Sequence, residues 1–233
     1  MENEYKNNYK FFTEIVKEAY EFWKGVCQEK NIDIDAPAFT FIDDFEEAET
    51  LKDLFIKKTC NGDKRMFFKS DLSEEGGQKI YRGIRNLSIE DYIKCLKNRS
   101  SSVYRKGVIG DGIYFSYQMQ TAQKYENQQG GLIKAELGKC FKVVDYFTLS
   151  GMIDDYLEGY LMSEEYNNLD KEVKDWACTN LSSEELFTFY AGMFGYDAIN
   201  LRDNVCVYNL DKVVIEDKYN VLPKQNENGI VKI

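Results

Sequence analysis

Hydrophobic side chains near the start of the chain recur every three or four positions, the spacing of a helix with one apolar face. Over residues 5–28 this stripe consists of Tyr5, Tyr9, Phe12, Val16, Ala19, Trp23 and Val26. We expect a helix whose aromatic face packs on the protein's own core rather than on a partner. A capping box at Asp44 and Glu47 predicts a second helix, extending to Lys58.

Alternation of polar and apolar residues predicts strands at 79–84 and 132–137, followed by a short strand ending at Asp145. Residues 66–68 form a further predicted strand. Near the end of the chain, segments 196–201 and 205–210 are expected to form a hairpin-like pair. Residues 213–215 are expected to extend its ladder. These patterns indicate a mixed protein with a substantial antiparallel sheet.

Helical patterns occupy much of the remaining chain. Ser88 and Asp91 have the spacing of a cap before a short helix, and Ser116 is expected to cap a helix reaching Tyr125. Residues 150–180 carry no strand pattern and predict two helices. A third helix is expected after Ser182, ending at Gly195.

Composition narrows the classes of function. The chain has 233 residues, with forty acidic and thirty basic side chains, for a formal charge of −10. That charge repels phosphate backbones, so nucleic acid is not an expected partner. The chain contains no histidine, which removes imidazole catalysis and disfavours a zinc site.

The same composition bears on location. Six cysteines without C-x-x-C spacing favour a reduced, intracellular setting over a disulfide framework. The N-terminus has neither a basic region nor an apolar core typical of a signal peptide, and no apolar run has the length of a membrane span. We therefore expect a cytoplasmic protein, at least where it is made, without a membrane partner.

Candidate chemistry centres on the glycine-rich stretch 110–116, Gly-Asp-Gly-Ile-Tyr-Phe-Ser. It predicts a tight turn leading into a short buried strand, with Tyr114 and Tyr125 close together at the mouth of a cleft. Its glycines permit a ligand to approach the backbone, although a plain hairpin turn is the commoner meaning of such a motif. On the predicted strand at 79–84, Arg82 beside Gly83 offers paired N–H donors to a phosphate, with a surface ion pair as the alternative.

These pieces, in this order, resemble the ADP-ribosyltransferase superfamily, in particular its poly(ADP-ribose) polymerase-like and diphtheria-toxin-like branch. The similarity covers roughly residues 78–216, in blocks at 80–83, 108–125, 132–138 and 196–209. It implies an α+β fold whose core is two packed antiparallel sheets with an NAD cleft. The corresponding division of the chain is a helical N-terminal segment at 1–60 and a catalytic domain at 61–233, with a helical insertion at about 150–194.

The resemblance also implies a set of NAD-binding residues. Gly83 corresponds to the glycine that holds the nicotinamide amide, and Arg82 to the side chain that grips the phosphates or the adenosine ribose. Gly112 belongs to the turn that presents Tyr114, and Tyr125 corresponds to the tyrosine that stacks on nicotinamide. Family members often have a serine where this chain has Ala122, which leaves Ser116 or Thr121 as substitutes.

The catalytic carboxylate is the main departure from the family pattern. Where relatives have a glutamate, this chain has Asn204, with Asp203 beside it. A carboxylate there stabilises the oxocarbenium-like transition state through the ribose 2′-hydroxyl. Adjacent strand residues face opposite sides, so Asp203 and Asn204 remain equal candidates, with Glu184 and Glu185 as distant ones.

The expected activity is mono-ADP-ribosyl transfer from NAD to a macromolecular acceptor, with a protein as the expected acceptor and no metal. Two alternatives stay open. One is a catalytically inactive interaction module that keeps the fold, and the other is an NAD glycohydrolase that uses water as acceptor. Asp203, Asn204 and Arg82 are the predicted catalytic residues.

Overall fold

The computed structural model describes residues 9–39, 51, 54, 55, 77–97, 105–107, 110–126, 130–138, 141–208 and 213–219. Its helices are α1 (Tyr9–Lys30), α2 (Ile89–Lys97), α3 (Met119–Gln123), α4 (Tyr146–Leu161), α5 (Glu164–Asn167), α6 (Lys171–Asn180) and α7 (Phe187–Met193), with a 3-10 turn at Glu184–Leu186. Its strands are β1 (Lys79–Ile84), β2 (Arg105–Gly107), β3 (Gly110–Ser116), β4 (Gly131–Leu137), β5 (Val143–Asp145), β6 (Ala198–Asn200), β7 (Asn204–Val207) and β8 (Val213–Tyr219). The protein is α+β, as expected.

The chain divides into two compact units. The first draws on residues 1–69, 106–111 and 142–199, and the second on residues 70–105, 112–141 and 200–233. The N-terminal helix and the segment predicted as a helical insertion belong to the first unit, and the predicted boundary at residue 60 stays a prediction. Most of the predicted helix at 44–58 and the whole predicted strand at 66–68 lie outside the described residues.

The first unit has an aromatic core. Phe12 from the predicted stripe of α1 is buried against Tyr156 and Tyr160 of α4, with ring centroids 5.3 and 4.8 Å away. Thr13 and the Tyr160 hydroxyl form a buried hydrogen bond of 3.0 Å. The prediction that α1 packs on the protein's own core is confirmed.

Residues 150–180 fold into more helices than expected. Asp145 caps α4 by accepting from the backbone N–H of Phe147, and Ser163 starts α5 by accepting from Tyr166 N–H. The sequence pattern predicts two helices here, whereas the chain forms α4, the single turn α5 and α6. A short polar segment such as the one at Ser163 ends one helix and caps the next while the apolar spacing continues. The hydrophobic pattern therefore does not reveal the interruption.

The second unit contains an antiparallel sheet in the order β7, β3, β1, β4, β8. The resemblance implies two packed sheets, but the described strands of this unit form a single sheet. Residues 213–215, expected to extend the last ladder beside 205–210, instead begin β8, which pairs with β4 in the register Leu137 to Val213. No helix among the described residues is both long and apolar enough to cross a membrane.

Candidate functional site

A cavity of about 480 Å³ lies in the second unit. Its wall comes from β1 and the segment after it, α2, β3, α3 and the residues after it, and the first residue of β7. The residues that line it are Tyr81, Arg82, Gly83, Ile84, Arg85, Leu87, Tyr92, Gly112, Tyr114, Phe115, Ser116, Ala122, Tyr125 and Asn204. Its volume is within the range of small-molecule sites.

Strand register builds one side of this cavity. Ser116 at the end of β3 faces Tyr81 on β1 and Asn204 on β7, so three polar side chains form a row across adjacent strands. The Ser116 hydroxyl donates to the carbonyl of Asp203 at 3.2 Å and accepts from Gln118 N–H at 3.1 Å. Ser116 therefore joins the strand ends and does not cap the following helix as predicted; α3 starts only at Met119.

Arg82 forms a second part of the wall. Its Nη1 donates to the carbonyl of Tyr114, and its guanidinium carbon lies 5.4 Å from the ring centroid of Tyr92. Its Nε is buried and has no acceptor among the described residues. A buried donor without an acceptor carries a desolvation cost, which an acceptor atom of a ligand removes. Arg82 is thus held by the protein and keeps one buried N–H without an acceptor among the described residues.

The glycines in the wall serve close packing of the protein on itself. A Cβ atom on Gly83 would lie 2.1 Å from the carbonyl oxygen of Ala122 and 3.0 Å from the carbonyl carbon of Tyr125. On Gly112 it would lie 2.4 Å from Sγ of Cys206. The close approach expected of a ligand at these glycines is therefore made by α3 and by β7. Because Gly83 has no side chain, the backbone of Tyr125 can lie against β1, and this contact positions Tyr125.

Tyr125 is the most exposed aromatic side chain of the wall, at 58%. Arg85 fixes the turn after α3 that carries it, donating through Nε to the Tyr125 carbonyl at 2.9 Å and through Nη2 to the Lys124 carbonyl at 2.6 Å. The same guanidinium lies 5.4 Å from the Tyr125 ring centroid. Sequence reasoning missed Arg85, and its position two residues after Gly83 is the only signal that pointed to it.

The two candidates for the missing carboxylate occupy different places. Asn204 lines the cavity, whereas Asp203 is exposed in the turn before β7 and is not part of the described wall. The turn is formed by Arg202, whose φ is 67°, and it leaves the Asp203 carbonyl facing Ser116 and Tyr117. Of the remaining candidates, Thr121 lies on α3 outside the wall, and Glu184 accepts from the Tyr146 hydroxyl in the first unit. Glu185 lies in the same 3-10 turn as Glu184.

No family model, curated protein or solved structure matches this chain. Its described wall is cationic and aromatic, with two arginines and four tyrosines, and holds no aspartate or glutamate. The described residues also contain no cluster of cysteines and carboxylates suited to a metal ion. Such a wall favours an anionic ligand with a flat ring.

One acidic side chain stands next to the wall in sequence. Glu126 follows Tyr125, and its Oε1 is buried without a donor among the described residues. Burial raises the pKa of this carboxyl group. Glu126 does not line the cavity, so a carboxylate role there has no support from the geometry.

Proposed function

We propose that this protein binds NAD in the cavity of the second unit and transfers its ADP-ribose to a macromolecular acceptor, with a protein as the expected acceptor. The observation that carries the proposal is the composition of the wall. Arg82, Gly83, Tyr114, Tyr125 and Asn204 come from separate stretches of the chain and line one cavity. Ser116 and Gly112 line it too, whereas Asp203, Thr121 and the distant candidates Glu184 and Glu185 lie elsewhere.

The fit to a dinucleotide rests on two features of the wall. Arg82 keeps a buried N–H without an acceptor in the described part of the chain, which suits a phosphate or ribose oxygen. Tyr125 exposes its ring, and the Arg85 guanidinium lies 5.4 Å from the ring centroid, which suits stacking on nicotinamide. NAD would supply the reactive ribosyl centre, which becomes cationic as nicotinamide leaves.

Asn204 has the remaining role in this proposal. Its amide oxygen accepts a hydrogen bond from a ribose hydroxyl and orients the sugar, but it has no charge with which to stabilise the cation. Removal of such an electrostatic group typically costs about a hundredfold or more in rate. We therefore expect the wild-type protein to bind NAD well and to transfer ADP-ribose slowly.

A second function is favoured by the absence of a carboxylate from the described wall: a module that binds NAD or a related nucleotide without turnover. A third, NAD hydrolysis, uses the same residues with water as the acceptor. The three functions share one binding site and differ in what happens to the glycosidic bond.

Binding is tested first, by thermal unfolding and calorimetry with NAD and with nicotinamide. We expect NAD to raise the melting temperature, Arg82→Ala to weaken NAD binding by about 1.5–3 kcal/mol, and Tyr125→Ala to remove the shift. Phe147→Ala is the matched control, since Phe147 is a similarly exposed aromatic residue, at 64%, in the first unit. Equal NAD affinity in the wild type and Tyr125→Ala would contradict the site.

Turnover is tested next, with labelled NAD and candidate lysates. Modified protein bands that strengthen in Asn204→Glu and are unaffected in Asp203→Ala support the transferase. Free ADP-ribose without modified bands identifies a glycohydrolase. Binding without breakdown of NAD, in both the wild type and Asn204→Glu, identifies the binding module.

A further inference from the structure

The first unit contains a cavity of its own, of about 490 Å³. It lies between α1, α6 and the segment that follows α1. Tyr20, Ile34 and Trp176 supply aromatic and aliphatic wall, and the other lining side chains are mostly charged or polar. This cavity shares no residue with the proposed NAD site.

The walls of this cavity are fixed by buried and partly buried hydrogen bonds. Trp23 Nε1 donates to the carbonyl of Ile34 at 3.2 Å. Asn180, only 3% exposed, accepts from Ala38 N–H at 2.7 Å and donates to the carbonyl of Trp176 at 2.9 Å. The segment after α1 is thereby attached to both helices, so the cavity is a built feature of the unit rather than a gap beside a loose loop.

Trp176 provides the observation that points to a ligand. The side chain is 5% exposed, and its indole Nε1 is buried without an acceptor among the described residues. Trp23, the other tryptophan of the chain, has its acceptor in Ile34. An indole N–H is a donor only, so the unpaired group of Trp176 calls for an oxygen atom that the described protein does not supply.

The charges around the cavity have a clear sign. Asp35, Glu172 and Asp175 line it with one lining cation, Lys24. Lys171, outside the lining, pairs with Asp175 at 2.6 Å, so the three carboxylates and two lysines leave one net negative charge. Lys24 Nζ lies 4.0 Å from Oε2 of Glu172, which also accepts from the Tyr20 hydroxyl at 2.9 Å. Burial, together with Glu172 and other nearby carboxylates, raises the pKa of Tyr20 to about 12. The surroundings therefore oppose a further negative charge and favour a positive one.

We propose that this cavity binds a small organic cation that also carries a hydroxyl or carbonyl oxygen. The ammonium group lies among Asp35, Glu172 and Asp175, and the oxygen accepts from the Trp176 indole N–H. An anion is disfavoured by the carboxylates. A bare metal ion brings no acceptor for the indole, and the described residues hold no cluster suited to one. The proposal is independent of the function assigned to the second unit.

The two tryptophans make a direct test possible, because each gives one indole signal in a nitrogen–proton correlation spectrum. Trp176→Phe identifies the Trp176 signal by its loss. The full chain is titrated with tyramine, which has both an ammonium and a hydroxyl group. Two relatives of tyramine serve as controls: phenethylamine, which lacks the hydroxyl, and hydroxyphenylpropionate, in which a carboxylate replaces the ammonium.

We expect tyramine to shift the Trp176 signal with saturation and to leave the Trp23 signal unchanged. Phenethylamine is expected to bind about five- to tenfold more weakly, the loss of one neutral hydrogen bond, and hydroxyphenylpropionate not to bind. Asp35→Asn is expected to weaken tyramine binding, whereas Asp154→Asn, which changes an exposed carboxylate on α4, leaves it unchanged.

Three results would overturn the proposal. They are a Trp176 signal that tyramine does not move at millimolar concentration, equal binding of tyramine and hydroxyphenylpropionate, and equal binding of tyramine and phenethylamine. The first would mean that water satisfies the indole. These readings use the wild-type chain, so they hold even if Trp176→Phe unfolds, in which case Trp23→Phe provides the assignment.

Discussion

Gly83 gives the sharpest test of how the NAD site is built. Replacement by alanine places a Cβ atom 2.1 Å from the Ala122 carbonyl oxygen, a backbone atom that no rotamer change removes. Restoring an ordinary contact requires α3 and β1 to separate by about 1 Å. We expect Gly83→Ala to lower the free energy of unfolding by about 1–3 kcal/mol, the usual cost of overpacking.

The separation also displaces Tyr125, because Tyr125 is part of the backbone that Gly83 contacts. NAD binding should weaken in Gly83→Ala even under conditions where the protein stays folded. Stability is measured by urea unfolding followed by circular dichroism, since both tryptophans lie in the first unit and their fluorescence does not report on β1. Amide hydrogen exchange over residues 119–126 then localises the effect.

Gly25→Ala is the matched control. Gly25 is exposed on α1, and a Cβ atom there meets nothing within 4 Å. Alanine should stabilise this helix by about 0.5–1 kcal/mol. If Gly83→Ala unfolds at the same urea concentration as the wild type and hydrogen exchange in α3 is unchanged, then α3 does not pack closely on β1 at Gly83.

Further predictions concern the first unit. Asn180→Ala leaves the Ala38 N–H without its acceptor and removes the side-chain donor from the Trp176 carbonyl, which should cost about 1–3 kcal/mol in urea unfolding. Asn167→Ala removes one exposed bond to Ser163 and should cost less than about 1 kcal/mol, so equal losses would refute the buried role of Asn180. The Tyr20 pKa is raised from 10.0 to about 12, so its contribution to stability is complete below pH 10 and is lost as the pH rises towards 12. A phenolate absorbance titration that compares the wild type with Tyr20→Phe measures this pKa, and Glu172→Gln should lower it; a value near 10 would contradict the bond to Glu172.

The sequence predicted those elements whose pattern is local. The strand at 79–84 coincides with β1, and the capping box at Ser88 is present, with its Oγ accepting from Asp91 N–H at 3.1 Å. The helix predicted to stop at Gly195 does so, and Gly195 has a φ of 85°. In each case the local sequence alone favours one backbone conformation, so a local pattern is sufficient to predict the element.

Predictions that depended on partners distant in sequence were less complete. Ser116 is of a residue type that commonly caps helices, but its pairing with Asn204 and Tyr81 keeps it in a strand. Residues 213–215 have the pattern of a strand, and nothing in that pattern indicates that β4 rather than β7 is the neighbour. Asp203 and Asn204 were indistinguishable in sequence because only the turn at Arg202 decides which of them reaches the cavity wall.

The path of the chain through the first unit has a consequence during synthesis. Tyr20 on α1 and its partner Glu172 on α6 are 152 residues apart. A ribosome adds about 5–20 residues per second, so α1 leaves it roughly 8–30 s before α6 is made. Until α4 and α6 are made, the nascent chain presents the face of α1 that they later cover, including Phe12 and Tyr20. The time during which chaperones or neighbouring nascent chains can reach this face is therefore set by translation speed and not by the stability of the finished protein.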